Sequence, residues 1–175
     1  MKVIFVAGIH GVGKTTGCMA VAEELGIPYY TASQIIKGEK ASAVVEQSKL
    51  VADIDENQRL LIQGVSKLIK GGRFLLDGHF TIQRESDGGI QAVPVDIFRQ
   101  LRIEGIVTYT DAPSKIAKRM QLRDGVLPSV GLLQAHQEAE IAHAKHVAAV
   151  LSVPLVVLQA FDTDGMKQAI ISEWI

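Results

Sequence analysis

One octapeptide near the N-terminus constrains this chain more than any other feature: Gly8-Ile9-His10-Gly11-Val12-Gly13-Lys14-Thr15. It matches the pattern G-x-x-x-x-G-K-[ST], which binds phosphate where it joins a strand to a helix. Residues 3–7 precede it as an unbroken apolar run, typical of a strand that is buried on both faces. Residues 16–25 follow with helical spacing, and Gly26 and Pro28 end that helix. The flanks therefore supply the context that the motif requires.

The chemistry of this loop predicts nucleotide binding. Its glycines let several backbone N–H groups converge on one phosphate, and the helix N-terminus adds partial positive charge. Lys14 is expected to reach the β- and γ-phosphates of ATP, and the Thr15 hydroxyl is expected to ligate Mg²⁺. A chance match in a glycine-rich turn is the alternative, which the flanking strand and helix disfavour. The loop residues expected to contact ATP are Gly8, His10, Gly11, Val12, Gly13, Lys14, Thr15 and Thr16.

Apolar runs alternate with helical segments along the rest of the chain, which indicates an α/β fold. Further buried strands are predicted at 73–77, 105–110 and 154–158, with a short strand at 29–30. Helices are predicted at 34–52 (capped by Ser33), 53–71 (capped by Asp53), 94–102, 112–123, 129–151 and 162–175, and a long loop at 78–93. This alternation favours a parallel sheet with helices on both faces. At 175 residues and 47% apolar composition, the chain suits a single domain.

Asp77 ends one of the apolar runs. In a parallel sheet its carboxylate lies at the C-terminal edge of the strands, beside the phosphate loop. A carboxylate in that position holds Mg²⁺ directly or through water. The alternative is an aspartate that caps the following loop. His79, two residues on, is either a contact to a substrate phosphate or a structural loop histidine.

Arg119 and Arg123 lie four residues apart near the end of a predicted helix, and therefore share one face. Phosphoryl transfer spreads negative charge over the moving group, and guanidinium groups on a flap neutralise that charge. The alternative is a solvated basic helix end that interacts with its own dipole.

The long helix 129–151 carries three histidines and a glutamate: His136, Glu140, His143 and His146. A metal site is one interpretation of this spacing. Gln137, Glu138 and Lys145 alternate with these residues, however, which is typical of an ordinary polar face. The sequence therefore predicts no metal site on this helix.

Composition and charge exclude several classes of protein. The net charge of −1, with scattered Lys and Arg, indicates no nucleic-acid-binding surface. No apolar run approaches the ~20 residues that span a bilayer, and the N-terminus does not match a signal peptide. Cys18 is the single cysteine, so no internal disulfide forms. These features together predict a cytoplasmic protein.

Several motifs together resemble those of the P-loop nucleoside monophosphate kinases, and among them most closely the archaeal-type adenylate kinases. The motifs are residues 8–15, 76–79, the 119–124 stretch and the His136-Gln137 pair. The resemblance implies a P-loop NTPase fold, in which a five-stranded parallel sheet is flanked by helices on both faces. It also implies ATP, Mg²⁺ and transfer of the γ-phosphoryl group to a nucleoside monophosphate.

The same resemblance assigns parts of the single kinase domain, residues 1–175. Residues 31–70 form the acceptor-binding helical insert, and residues 119–130 form a short lid. Ala160, between Gln159 and Phe161, flanks the adenine of ATP. The catalytic residues it implies are Lys14, Asp77, Arg119 and Arg123, and the metal ligands are Thr15 and Asp77.

Two departures from the family pattern keep other functions open. An arginine usual after the His-Gln pair is absent, and the acceptor insert offers Lys37, Lys40 or Lys49 in place of an arginine. The alternatives are a kinase for another small metabolite, because one fold serves many acceptors, and a slow ATPase. Such an ATPase would act as a nucleotide-dependent switch or assembly factor with a protein partner.

Overall fold

A computed structural model describes residues 3–43, 54–68, 72–84 and 87–174. Its central sheet has five parallel strands in the order β2-β3-β1-β6-β7. The described strands are β1 (Val3–Ala7), β2 (Tyr29–Thr31), β3 (Phe74–Asp77), β4 (Thr81–Gln83), β5 (Ile90–Ala92), β6 (Ile103–Thr110) and β7 (Leu155–Gln159). The described helices are α1 (Lys14–Leu25), α2 (Ala32–Ala43), α3 (Ile54–Leu68), α4 (Val95–Gln100), α5 (Pro113–Asp124), α6 (Val130–Leu151) and α7 (Thr163–Trp174).

Helices cover both faces of the sheet, as the sequence predicts. Alternate residues of β1 enter opposite clusters of the core, with Phe5 on one face and Ile4 on the other. Helices α3, α4 and much of α6 pack on the Phe5 side, and α1, α5 and α7 pack on the Ile4 side. Since every residue of β1 is buried, the strand requires the continuous apolar run seen in the sequence.

The register of the sheet brings the expected site residues to one edge. β1 lies between β3 and β6, and Val6 is paired with Asp77. The chain leaves β1 at Ala7 and enters the phosphate loop at the same edge. Asp77 therefore stands beside the loop, at the carboxyl ends of the strands where ligands of such sheets bind.

The prediction of a long loop over residues 78–93 misses regular structure in this segment. The segment contains an antiparallel hairpin, in which Thr81 of β4 is paired with Ala92 of β5 and Gln83 with Ile90. Each strand has three residues and much of their surface is exposed. Such short strands carry no periodic apolar pattern, so the sequence gives little indication of them.

The predicted start of the second helix also differs. Helix α2 begins at Ala32, and the Thr31 hydroxyl, not Ser33, accepts the backbone N–H of Gln34 at 3.1 Å. The Gln34 side chain accepts the backbone N–H of Thr31 at 3.2 Å in return. This reciprocal arrangement is a capping box. The predicted cap at Asp53 lies outside the described residues.

Candidate active site

The phosphate loop adopts a conformation that requires its glycines. Gly8, Gly11 and Gly13 have φ angles of 140°, 80° and 106°, which side chains disfavour. A Cβ atom on Gly13 would lie 2.9 Å from the Phe161 ring, and one on Gly8 would lie 2.7 Å from the Tyr109 carbonyl oxygen. The glycines thus permit both the curl of the loop and its close packing.

Lys14 is held inside this loop. Its ammonium donates to the carbonyl oxygens of Gly8 at 2.6 Å and Ile9 at 3.3 Å. It also lies 3.9 Å from Oδ1 of Asp77. Burial lowers the pKa of Lys14, whereas the carboxylates of Asp77 and Glu140 oppose that shift. The Lys14 ammonium thus lies at the loop and donates to two carbonyl oxygens. A bound phosphate can replace those oxygens as the acceptor.

Asp77 and Thr15 come together at the edge of the sheet. Oδ2 of Asp77 accepts the Thr15 hydroxyl at 3.2 Å and the Tyr29 hydroxyl at 3.2 Å. Burial raises the pKa of Asp77, and the Lys14 charge and these two hydroxyls act in the opposite direction. A carboxylate beside a hydroxyl is the set of hard oxygen donors that suits Mg²⁺. The residues present therefore fit the ion that the sequence predicts.

Arg119 lies inside the phosphate-loop region. Its Nε donates to the Gly11 carbonyl oxygen at 3.1 Å, and its Nη1 donates to Oδ2 of Asp111 at 2.7 Å. Its guanidinium carbon lies 5.2 Å from the centroid of the Phe161 ring, within range of a cation–π interaction. Nη2 is buried and has no partner among the described residues. A buried unpaired donor is uncommon, and here it fits an anionic ligand.

Arg123 is in a different setting. Its side chain is 53% exposed, pairs with Asp124 at 2.7 Å, and contacts the His10 ring. Burial, followed by the charges of Arg123 and Lys14, lowers the pKa of His10, which favours a neutral ring. The two arginines thus share a helical face as predicted, but Arg119 lies within the site and Arg123 at its mouth.

Two adjoining cavities meet at the phosphate loop. The phosphate-loop pocket measures about 250 Å³ and is lined by His10, Gly11, Gly13, Lys14, Thr15, Thr16, Arg119, Met120, Arg123 and Phe161. The second, here called the hairpin cavity, measures about 510 Å³ and lies between the β4–β5 hairpin, the loop and the start of α6. His10 and Met120 line both cavities. A ligand in the phosphate-loop pocket therefore has a second, larger cavity as its immediate neighbour.

Glu140 is a residue whose role the sequence analysis misses. Its carboxylate is fully buried and accepts the backbone N–H groups of Phe80 at 2.8 Å and Thr81 at 2.7 Å. It also accepts the Thr81 hydroxyl and the backbone N–H of Gly8 at 3.4 Å. The Glu140 side chain thus connects the start of the phosphate loop, through hydrogen bonds, to the segment that follows β3.

The sequence does contain a signal for this role. Glu140 lies seven residues after Leu133 and four before Ala144, both of which are buried. It therefore belongs to the inward stripe of α6, at helical spacing. The face of α6 that carries Glu140 is therefore buried, and is not an ordinary polar face. Among the described residues no cluster of three or more His, Cys, Asp or Glu could hold a metal ion.

The remaining predicted residues are less closely tied to the site. The backbone N–H of Ala160 donates to the Thr110 carbonyl oxygen at 2.7 Å, while its neighbour Phe161 lines the phosphate-loop pocket. Contact of Ala160 with ATP stays a prediction. Lys37 and Lys40 are exposed on α2, and Lys49 lies outside the described residues.

Comparison with known proteins identifies a family. A family model described as an AAA domain matches residues 7–126. A curated protein of Pyrococcus furiosus, named "Putative adenylate kinase", is 31% identical over 121 residues, which are 69% of this chain and 55% of that protein. The match therefore spans only about half the length of that relative.

Solved structures share the fold. A gluconokinase from Sinorhizobium meliloti has a TM-score of 0.55 at 17% identity, over 95% of this chain and 87% of that one. A sugar kinase from Janibacter has a TM-score of 0.55 at 19% identity, over 99% and 94%. At these identities the likeness is one of fold.

None of the described helices combines the length and apolar character that crossing a membrane requires.

Proposed function

This chain belongs to the P-loop nucleotide kinase family represented by the AAA domain model, and we propose that it phosphorylates a small molecule with ATP. A nucleoside monophosphate is the first candidate acceptor, because of the resemblance to adenylate kinases. The observation that carries the proposal is the pair of adjoining cavities that share His10 and Met120. Hydrolysis of ATP needs one pocket, whereas transfer to a second substrate needs two that meet.

In the proposed reaction, an acceptor oxygen forms a bond to the γ-phosphorus while the bond to the β,γ-bridging oxygen breaks. ADP leaves with that electron pair. A phosphate acceptor attacks as the anion, and a hydroxyl acceptor passes its proton to an oxygen of the transferred phosphoryl group, which loses it to solvent after the product leaves. Lys14 binds the β- and γ-phosphates, and Arg119 directs its unpaired Nη2 donor to charge that develops during transfer.

The segment 119–130 is proposed as the lid over this reaction. It comprises the last turns of α5 and the link to α6, and it carries apolar side chains that are exposed to water: Leu122 at 79%, Val126 at 66% and Leu127 at 62%. Transfer to an acceptor requires water to be excluded from the phosphoryl group. Closure of this segment over the cavities would bury apolar surface and exclude water in one step.

Mg²⁺ is proposed to bind at Thr15 and Asp77, where it would neutralise charge on the β- and γ-phosphate oxygens. Replacing Asp77 by asparagine removes the carboxylate charge while keeping its size. We expect the magnesium concentration for half-maximal rate to rise roughly 10-fold or more, with a smaller change in ATP affinity. Asp96→Asn, at an exposed acid on α4, is the control and should titrate as the wild type does. An unchanged magnesium titration for Asp77→Asn would make Asp77 a structural residue.

Arg119 is expected to act on the transition state more than on binding. Arg119→Met keeps the apolar stem but removes the donors, and should lower kcat by about 10²–10³-fold, the typical effect of losing one preorganised donor. The KM for ATP should change far less. Lys118→Met, at the exposed neighbouring position, is the matched control. Near-normal single-turnover rates in Arg119→Met would show that this arginine has a structural role only, through its contacts with Gly11, Asp111 and Phe161.

A kinase for another small hydroxylated metabolite is the second candidate. The hairpin cavity favours it, since its described lining residues include no Lys or Arg to bind an acceptor phosphate. A panel of nucleoside monophosphates, nucleosides and sugars, incubated with Mg-ATP, tests the function directly. We expect one class to yield a phosphorylated product that chromatography identifies. No product from any member would contradict the proposal.

A further inference from the structure

The hairpin cavity has one apolar side and one polar side. Its apolar wall consists of Ile9, Ile82, Ile90, Met120, Leu132 and Leu133, and its polar groups belong to His10, His79, Thr81, Gln83, Ser129 and His136. Its volume of about 510 Å³ lies within the range of small-molecule sites, ~300–1,000 Å³. Such a cavity suits a ligand with an apolar face and a hydroxylated end.

The polar side has a defined hydrogen-bonding pattern. The Thr81 hydroxyl donates its single proton to Glu140, so its oxygen accepts from Nε2 of His136, which lies 3.1 Å away. Nε2 of His136 therefore carries a hydrogen, and in the neutral ring Nδ1 is the nitrogen that accepts. His136 thus offers an acceptor to a ligand hydroxyl. His79 lines the same side, with Nδ1 at 4.0 Å from Oε1 of Glu140.

Charge is divided between the two cavities. The phosphate-loop pocket contains Lys14, Arg119 and Arg123, whereas the described residues lining the hairpin cavity include no Lys, Arg, Asp or Glu. Anionic groups are therefore stabilised at the loop. The hairpin cavity is suited to the uncharged part of a substrate, because a charge buried there would have no counter-charge among these residues.

We propose that the hairpin cavity binds the nucleoside moiety of the phosphoryl acceptor, with the base on the apolar wall and the sugar hydroxyls at His136 and Ser129. This proposal rests on the proposed function and places the acceptor away from the α2–α3 insert. His10 and Met120 line both cavities, so the acceptor oxygen to be phosphorylated lies at their junction, beside the γ-phosphate.

Tryptophan substitutions that fill the cavity test this placement. Ile90 and Leu132 line it and are 37% and 64% exposed, so the fold should tolerate Ile90→Trp and Leu132→Trp. Ile171→Trp is the control, since Ile171 on α7 is 43% exposed and is not among the residues that line either cavity. The probes are adenosine, adenosine monophosphate and D-ribose, each with Mg-ATP.

We expect the wild type to phosphorylate adenosine or adenosine monophosphate, and not ribose. Both cavity variants should raise the KM for that acceptor at least 10-fold. Their KM for ATP and their ATP hydrolysis without acceptor should stay within twofold of the wild type, and Ile171→Trp should match the wild type throughout.

The outcomes separate two kinds of failure. If the wild type phosphorylates no member of the panel of nucleoside monophosphates, nucleosides and sugars, the proposed function fails and this placement with it. If an acceptor is phosphorylated and both cavity variants keep its KM, only the placement in the hairpin cavity is overturned. Preference for ribose over both nucleoside compounds would overturn the assignment of a nucleoside moiety.

Discussion

Replacing Lys14 by alanine is expected to lower the rate of ATP turnover by at least 10²–10³-fold, the typical effect of losing one preorganised charge donor. The ammonium is held by the Gly8 and Ile9 carbonyl oxygens, 3.9 Å from Asp77, where we propose that it binds the phosphates of a nucleotide. Its removal leaves the negative charge of those phosphates without its main partner. The fold should persist, because the loss of contacts is offset by relief from burying a charge.

The measurement is steady-state ATP turnover, with circular dichroism to verify the fold. Lys118→Ala is the matched control, because Lys118 is an exposed lysine on α5. It should keep wild-type turnover. Wild-type turnover in Lys14→Ala would mean that the loop does not bind the reacting phosphates, and the central assignment would be wrong.

Glu140→Gln is expected to have the largest effect on stability. The carboxylate accepts from three backbone N–H groups, those of Gly8, Phe80 and Thr81, and from one hydroxyl. An amide keeps one accepting oxygen and turns an NH₂ group toward the remaining donors, which leaves at least one buried N–H unpaired. Each unsatisfied buried donor costs about 1–3 kcal/mol. We expect the free energy of unfolding to fall by roughly 2–4 kcal/mol.

Thermal and denaturant unfolding measure this effect. Glu138→Gln is the control: Glu138 is exposed on the same helix and bonds only to Gln134 among the described residues, so its replacement should change stability by less than ~0.5 kcal/mol. At a temperature where both variants are folded, Glu140→Gln should also have a lower kcat, because Gly8 and Thr81 lose their common anchor. Equal unfolding midpoints for the two variants would contradict the role assigned to Glu140.

The features that could be predicted from the sequence depend mainly on residues that are close together in the chain. The phosphate loop is a motif of consecutive residues. Its glycines occupy positions with positive φ angles, which other residues disfavour. The inner strands are continuous apolar runs, because both of their faces are covered by helices. The position of Asp77 beside the loop follows from the parallel register alone.

Features that depend on distant residues were not predictable. The spacing of α6 indicates that Glu140 is buried, but it does not indicate its hydrogen-bond partners, which lie 59, 60 and 132 residues away in the chain. Tyr29 is a partner of Asp77 only through the pairing of β2 with β3. The β4–β5 hairpin, which forms a wall of the larger cavity, consists of strands too short for a recognisable pattern.

The most direct test of phosphoryl transfer is to measure ADP formation from Mg-ATP with and without the acceptor, while quantifying the phosphorylated acceptor in the same reaction. We expect the acceptor to accelerate ADP formation at least 10-fold, with one molecule of phosphorylated acceptor for each ADP. Equal rates of ADP formation with every acceptor and with water alone, and no phosphorylated acceptor, would contradict phosphoryl transfer to a second substrate. That result would be the behaviour of a slow ATPase that acts as a switch.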